Sequence, residues 1–138
     1  MRNRKGFTLM ELLLVVAVLA IVAAAAAPTF FSGATEAINE AKKSSFLSAY
    51  QNTLSGANLL FSIEASKGNV LNAETFATAD LDKYVPEAAR KFNNGTKDVV
   101  LTASFSDADN KIVVQAGKTP VDVNADWETI SKYSSVAP

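Results

Sequence analysis

The chain contains no cysteine and no histidine. Without cysteine there is no disulfide and no thiolate metal site, so any C-terminal loop must be held by packing and hydrogen bonds. Without histidine the commonest general base and metal ligand is missing. There is one tryptophan, and only four prolines in 138 residues. Positive charge is also scarce. The formal net charge is −1, and three of the 13 basic residues, Arg2, Arg4 and Lys5, crowd the first five positions. Beyond them ten basic residues face 14 acidic ones, a net of −4. Non-specific nucleic-acid binding rests on Lys and Arg neutralising phosphates, so no direct nucleic-acid binding is evident. Gly-x-Ser-x-Gly, Ser-x-x-Lys, a Gly-rich phosphate loop and metal-ligand spacing are all absent from the sequence, which argues for a non-enzyme with no cofactor.

What the chain has in plenty is one apolar run. After Gly6-Phe7-Thr8-Leu9-Met10-Glu11, nothing polar interrupts Leu12 to Ala27, and Pro28 follows. Residues 7–27 make roughly 32 Å of helix at ~1.5 Å per residue, enough to cross a hydrocarbon core of ~30 Å once. The basic cluster before it stays on the cytoplasmic side, placing the remainder beyond the membrane. Glu11 is the anomaly, since a carboxylate inside such a segment is costly and calls for a partner. Cleavage after Gly6 would supply one, the new α-amine of Phe7, on the same chain or a neighbour. In low dielectric such a pair is strong, and an unpaired carboxylate is expensive.

Lys5-Gly6-Phe7-Thr8-Leu9-Met10-Glu11-Leu12-Leu13 resembles the class III signal of type IV pilins and pseudopilins. The resemblance covers about a fifth of the chain and implies several things. A prepilin peptidase cuts between Gly6 and Phe7 and methylates the Phe7 amine. Glu11 registers each subunit against the Phe7 amine of its neighbour. Pro28 stands at the family's helix-kinking proline. Partners are identical subunits, the peptidase, the inner-membrane assembly machinery and, before assembly, lipid. The product moves from the inner membrane, as a single-pass protein, to a surface filament. Family roles are adhesion, twitching motility, biofilm formation and DNA uptake. Many relatives carry a glycine midway along the apolar run. Here Val18 to Ala27 has none and is rich in alanine, the strongest helix former. An ordinary secretory signal is the competing reading of the alanines at 23–27, but Glu11 and Pro28 do not fit it.

Beyond Pro28, which should bend the helix, helical periodicity resumes. Phe31, Ala34, Ile38 and Ala41 share a face, and Phe46, Tyr50, Leu54, Ala57 and Phe61 continue it with Ala49 and Leu60 alongside. Lys67-Gly68-Asn69 is a helix stop signal. The first half of so long a helix finds no partner in a chain this short, so it must sit in lipid or against copies of itself. Residues 69–97 read as a connecting loop with one short helix, anchored by Val70, Leu71, Phe76, Leu81, Tyr84 and Val85. Asn93-Asn94-Gly95-Thr96 is a turn signal, and Asn94-Gly95-Thr96 also fits a glycosylation sequon.

Alternation of Val99, Leu101, Ala103 and Phe105, then Ile112, Val114 and Ala116, gives a β-hairpin with one face on the helix. Asp107, Asp109 and Asn110 at its turn are weak candidates for a calcium site, since oxygen donors crowd there. Asp122, Asn124 and Asp126 form a second such group. The tail suggests an edge strand at Val121 to Val123, with Trp127 as the buried anchor. The expected fold is α+β, a type IV pilin fold: leader 1–6, transmembrane and assembly helix 7–28, amphipathic helix 29–68, connecting loop 69–97, and antiparallel sheet with C-terminal loop 98–138. The favoured reading is a pilus subunit. A type II secretion pseudopilin, whose major forms carry a calcium-binding C-terminal loop, and a plainly anchored ligand-binding module are the alternatives. N-terminal sequencing of the exported protein is expected to begin Phe7-Thr8-Leu9, and a start at Ala26 or later would count against the class III reading.

Overall fold

The computed structural model describes residues 7–70, 72–77 and 80–134. Helix α1 spans Leu9–Ser66 and continues through Pro28. The chain divides into two units, Met1–Ile38 and Asn39–Pro138. In the first, the large apolar side chains from Leu9 to Val22 are exposed: Leu9 is 83% exposed and Ile21 is 71% exposed. Within this helix lies a stretch long and apolar enough to cross a membrane.

The second unit is α+β. It holds the C-terminal part of α1, the short helix α2 (Ala73–Ala77), 3₁₀ turns at Leu81–Lys83 and Glu87–Arg90, and the strands β1 (Lys91–Asn93), β2 (Asp98–Ser106), β3 (Lys111–Ala116) and β4 (Thr119–Pro120), followed by α3 (Trp127–Ile130). The four strands form one antiparallel sheet in the order β1-β2-β3-β4. α1 closes on a Schellman motif. Gly68, at φ 81°, lets its own N–H reach the Ala65 carbonyl at 3.0 Å while Asn69 N–H reaches Glu64 O at 3.1 Å.

The core lies between α1 and one sheet face. Phe46, Ala49, Thr53, Ala57 and Leu60 are buried along the helix, at the three- and four-residue spacing of one stripe. Opposite them Val99, Leu101 and Phe105 of β2 and Val114 and Ala116 of β3 are buried, as period-two alternation requires. Phe46 is the hub. Its ring meets Phe92 edge-on at 5.1 Å and stacks on Tyr133 at 5.9 Å, geometries that add to area burial. A second cluster joins Ala57, Leu60, Phe76 and Phe105.

Several expectations are corrected. The helical stripe includes Thr53 and Gly56. The Thr53 hydroxyl is reconciled with burial by donating to the Ala49 carbonyl at 2.7 Å. Phe31 and Ile38 are exposed. The stretch 69–97 contributes the strand β1, which pairs Phe92 with Val99, so the Asn-Gly turn joins two strands. Three residues with one apolar member give too short a pattern to read. Val70 is 82% exposed and anchors nothing, whereas Phe76 is buried; Leu71 lies outside the described residues. The edge strand is Thr119–Pro120, two residues early, because Gly117 at φ 62° and Lys118 make a tight turn directly after β3. Trp127 is half-buried; Ile130 and Tyr133 are the buried anchors of the tail.

Arg90 staples the turns to the sheet. It is buried, yet Nε donates to the Val85 carbonyl at 3.1 Å, Nη1 donates to the Leu101 carbonyl at 2.7 Å, and Nη2 donates to Asp82 Oδ1. Leu101 lies just past the end of β1, so Arg90 satisfies a β2 acceptor that the β1 pairing does not reach. On the facing helix, Gly56 is also buried, and a Cβ there would collide with Val85. Gly56→Ala therefore gains up to ~1 kcal/mol of helix propensity but incurs ~1–3 kcal/mol of overpacking. Net destabilisation is expected by denaturant titration of the folded unit, and a raised midpoint would contradict this packing.

Candidate functional site

The N-terminal segment is built by local hydrogen bonds. Thr8 precedes the first helical residue, and its Oγ1 accepts from Glu11 N at 3.2 Å. Its carbonyl accepts from Glu11 N at 3.0 Å and Leu12 N at 3.2 Å. Thr8 is thus the N-cap of α1, and Thr8-x-x-Glu11 has the capping-box spacing. The sequence reading passed over Thr8, although this four-residue signature was there to be read. The cap fixes Glu11 in the first helical turn, where the positive end of the helix dipole favours a carboxylate. Glu11 is exposed, Phe7 is 78% exposed, and among the described residues no cation pairs with the Glu11 carboxylate. Gly6 and the basic residues at positions 2, 4 and 5 lie outside the described residues. Pro28 sits inside α1 and is exposed; lacking an N–H, it offers nothing to the Ala24 carbonyl one turn back.

The weak calcium candidates are occupied separately. Asp107 Oδ1 accepts from Ala73 N at 2.9 Å, tying the hairpin turn to α2. Asp109 lies 3.5 Å from Lys111 Nζ and 3.4 Å from Ser106 Oγ. Asn110 takes the left-handed conformation, φ 50°, that completes the turn. Asp122 Oδ1 accepts from Asn124 N at 2.9 Å, and Asp126 Oδ1 accepts from Thr129 N at 2.9 Å. Among the described residues no group of three acidic side chains gathers as a metal site would require. The sequon amide is committed as well: Asn94 Nδ2 donates to the Tyr133 carbonyl at 2.8 Å.

A cavity of about 620 Å³ opens at the C-terminal end of α1, lined by Leu60, Glu64, Lys67, Asn69, Lys83 and Tyr84 among others. Two of its charged groups, Glu64 and Lys67, engage each other. Lys67 Nζ and Asn69 Nδ2 donate to the two Glu64 oxygens, at 2.6 and 2.7 Å. These bonds, from Lys67 first and Asn69 second, hold the Glu64 carboxyl below its ordinary value.

Residues 1–27 match the family model described as the prokaryotic N-terminal methylation motif. This is the class III signal characteristic of type IV pilins and pseudopilins. Together with the long helix and small antiparallel sheet, which are consistent with the type IV pilin fold, this match over residues 1–27 supports a pilin-like or pseudopilin reading of the chain. The motif implies processing by a prepilin peptidase and assembly into a filament, and with the apolar helix it fits a membrane-anchored precursor. No curated protein and no solved structure matches the chain.

Asp126 caps α3, and the Thr129 backbone and then side-chain hydrogen bonds hold its carboxyl below the ordinary value. A depressed folded-state value means that the stabilisation is present above the unfolded-state value and is lost as pH falls through the folded one. Amide protection at Thr129 and Ile130 is expected to stay level from neutrality down to the carboxylate range and then drop. Asp126→Asn should keep the cap and flatten that acid step; an unchanged step would assign it to another group.

Proposed function

We propose that the chain is the structural subunit, the major pilin, of a type IV pilus.

 It is cleaved between Gly6 and Phe7, methylated at the Phe7 amine, and polymerised through residues 7–28 with identical copies. Glu11 registers each incoming subunit against a neighbour's Phe7 amine, and Pro28 kinks the helix for packing. One observation carries the reading: an apolar helical stretch, exposed along its length in the first unit, holds a single acid set one turn from the cleavage motif. The same surface suits the bilayer before assembly and a bundle of like helices after it, and alanines at 17, 20 and 23–27 permit close approach. The fibre would serve adhesion, twitching motility or DNA uptake at the cell surface.

Replacing Glu11 tests the registering role. Losing one partner of a desolvated ion pair costs ~3–5 kcal/mol, so Glu11→Val should insert in the membrane normally yet cut sheared fibre yield by roughly a hundredfold or more. A bulky residue at Gly6 should likewise strand the uncleaved protein in the membrane. A plainly anchored binding module predicts no change from either substitution. Abundant long fibres in electron micrographs of the unmodified strain distinguish a pilus from a pseudopilus.

A further inference from the structure

The tail is held without covalent help, and its fastening is specific. The Tyr133 ring stacks on Phe46, its hydroxyl accepts from Asp122 N at 2.9 Å, and its carbonyl accepts from Asn94 Nδ2 at 2.8 Å. Asn94 is 6% exposed. Its Oδ1 accepts from Thr96 N at 3.0 Å and Lys97 N at 2.9 Å, so the whole side chain is committed. The next residue, Gly95, is exposed, lies at φ 99°, and donates its N–H to Asn93 Oδ1 at 2.8 Å. An asparagine followed by glycine is the pair least hindered toward succinimide formation, because no Cβ shields the attacking nitrogen. In the closed fold both reacting groups are restrained.

We propose that Asn94 is a deamidation site gated by the C-terminal clasp, so that release of the tail is recorded covalently. When the tail lifts, the Asn94 side chain loses Tyr133 and can turn toward Gly95. The Gly95 nitrogen gives up its proton to water and bonds to Asn94 Cγ. The Cγ–Nδ2 bond breaks, and ammonia leaves after taking up a proton. Water then opens the succinimide at either carbonyl, giving aspartate or isoaspartate; the net change is one water consumed and one ammonia released. Aspartate removes the donor to the Tyr133 carbonyl and sets a negative charge against it. Isoaspartate adds a methylene to the backbone of a tight turn. Neither product refastens the tail.

The test follows the Asn94 peptide by mass spectrometry after incubating the full chain, in detergent micelles, in oxygen-18 water. Folded wild type is expected to deamidate at Asn94 on the order of tenfold or more slowly than the same chain in urea. Ile130→Ala and Tyr133→Ala, which loosen the clasp, should move the folded rate toward the urea rate. Should Tyr133→Ala fail to fold, Tyr133→Phe, which loses only the bond from Asp122 N, should give a smaller rise. Asn94→Asp should speed tryptic cleavage at Lys132 roughly tenfold, the loss of one buried hydrogen bond. Equal Asn94 rates in the folded and urea-treated wild type would overturn the gating. So would an Asn94→Asp tail as protease-resistant as the wild type.

Discussion

An apolar helical surface, exposed from Leu9 to Val22, governs the rest of this molecule. Fully burying a Leu, Ile or Val side chain is worth ~1.5–3 kcal/mol, and large side chains run almost without interruption from Leu9 to Val22, all exposed. Taken together they outweigh the ~5–15 kcal/mol net stability of an ordinary domain. Residues 39–138 have their own core and do not need this surface for it. Under the proposed function the demand is met outside the chain, first by lipid and then by other copies.

Hydrophobic attraction is non-directional, so a smooth apolar rod can pack on its copies at many offsets. Under the proposed function, a charge supplies what the rod lacks. Glu11 has one helical position, fixed by the Thr8 cap, and a carboxylate in a low-dielectric bundle tolerates few neighbours. A single polar group that sets register while costing stability has precedent in coiled coils. The Thr8 cap sharpens this logic: standing one residue after Phe7, it opens the helix and so, under the proposed cleavage, limits where the Phe7 amine can lie relative to Glu11.

The sequence made the strong periodicities plain. The apolar run, the helix stop at Gly68 and the alternation of Val99, Leu101 and Phe105 each rest on several residues acting together. What stayed hidden depended on single residues whose meaning is tertiary. Thr53 and Gly56 look like breaks in an apolar stripe until the Ala49 carbonyl and Val85 are seen beside them. Arg90 carries no pattern in the sequence, and its part depends on three acceptors that converge on it in the fold. Trp127 drew attention by size, yet it rests half-buried with Lys42 Nζ 5.6 Å from its ring, while the smaller Ile130 takes the core position. Of the proposed N-terminal site, Phe7, Glu11 and Pro28 stand out in the sequence beside the apolar run, and the Thr8-x-x-Glu11 cap was legible by its spacing, though a lone threonine is easily passed over.

The lack of cystine shapes how the second unit closes. A disulfide would constrain the unfolded chain and lock the tail irrespective of local packing. Here closure is distributed over Ile130 and Tyr133 in the core, the Asn94 and Asp122 bonds to Tyr133, and the Asp126 cap. Each contact is individually small, and they cluster on one short segment, so they should be lost together when that segment opens. Tyr133 joins them because it bonds at both ends, through its carbonyl to the β1–β2 turn and through its hydroxyl to the start of the tail. The side chain that stacks on Phe46 therefore couples the tail to the helix–sheet core. Closure of the tail is thus as strong as the packing around one ring, which makes it responsive to the state of the core in a way that a covalent bridge would not be.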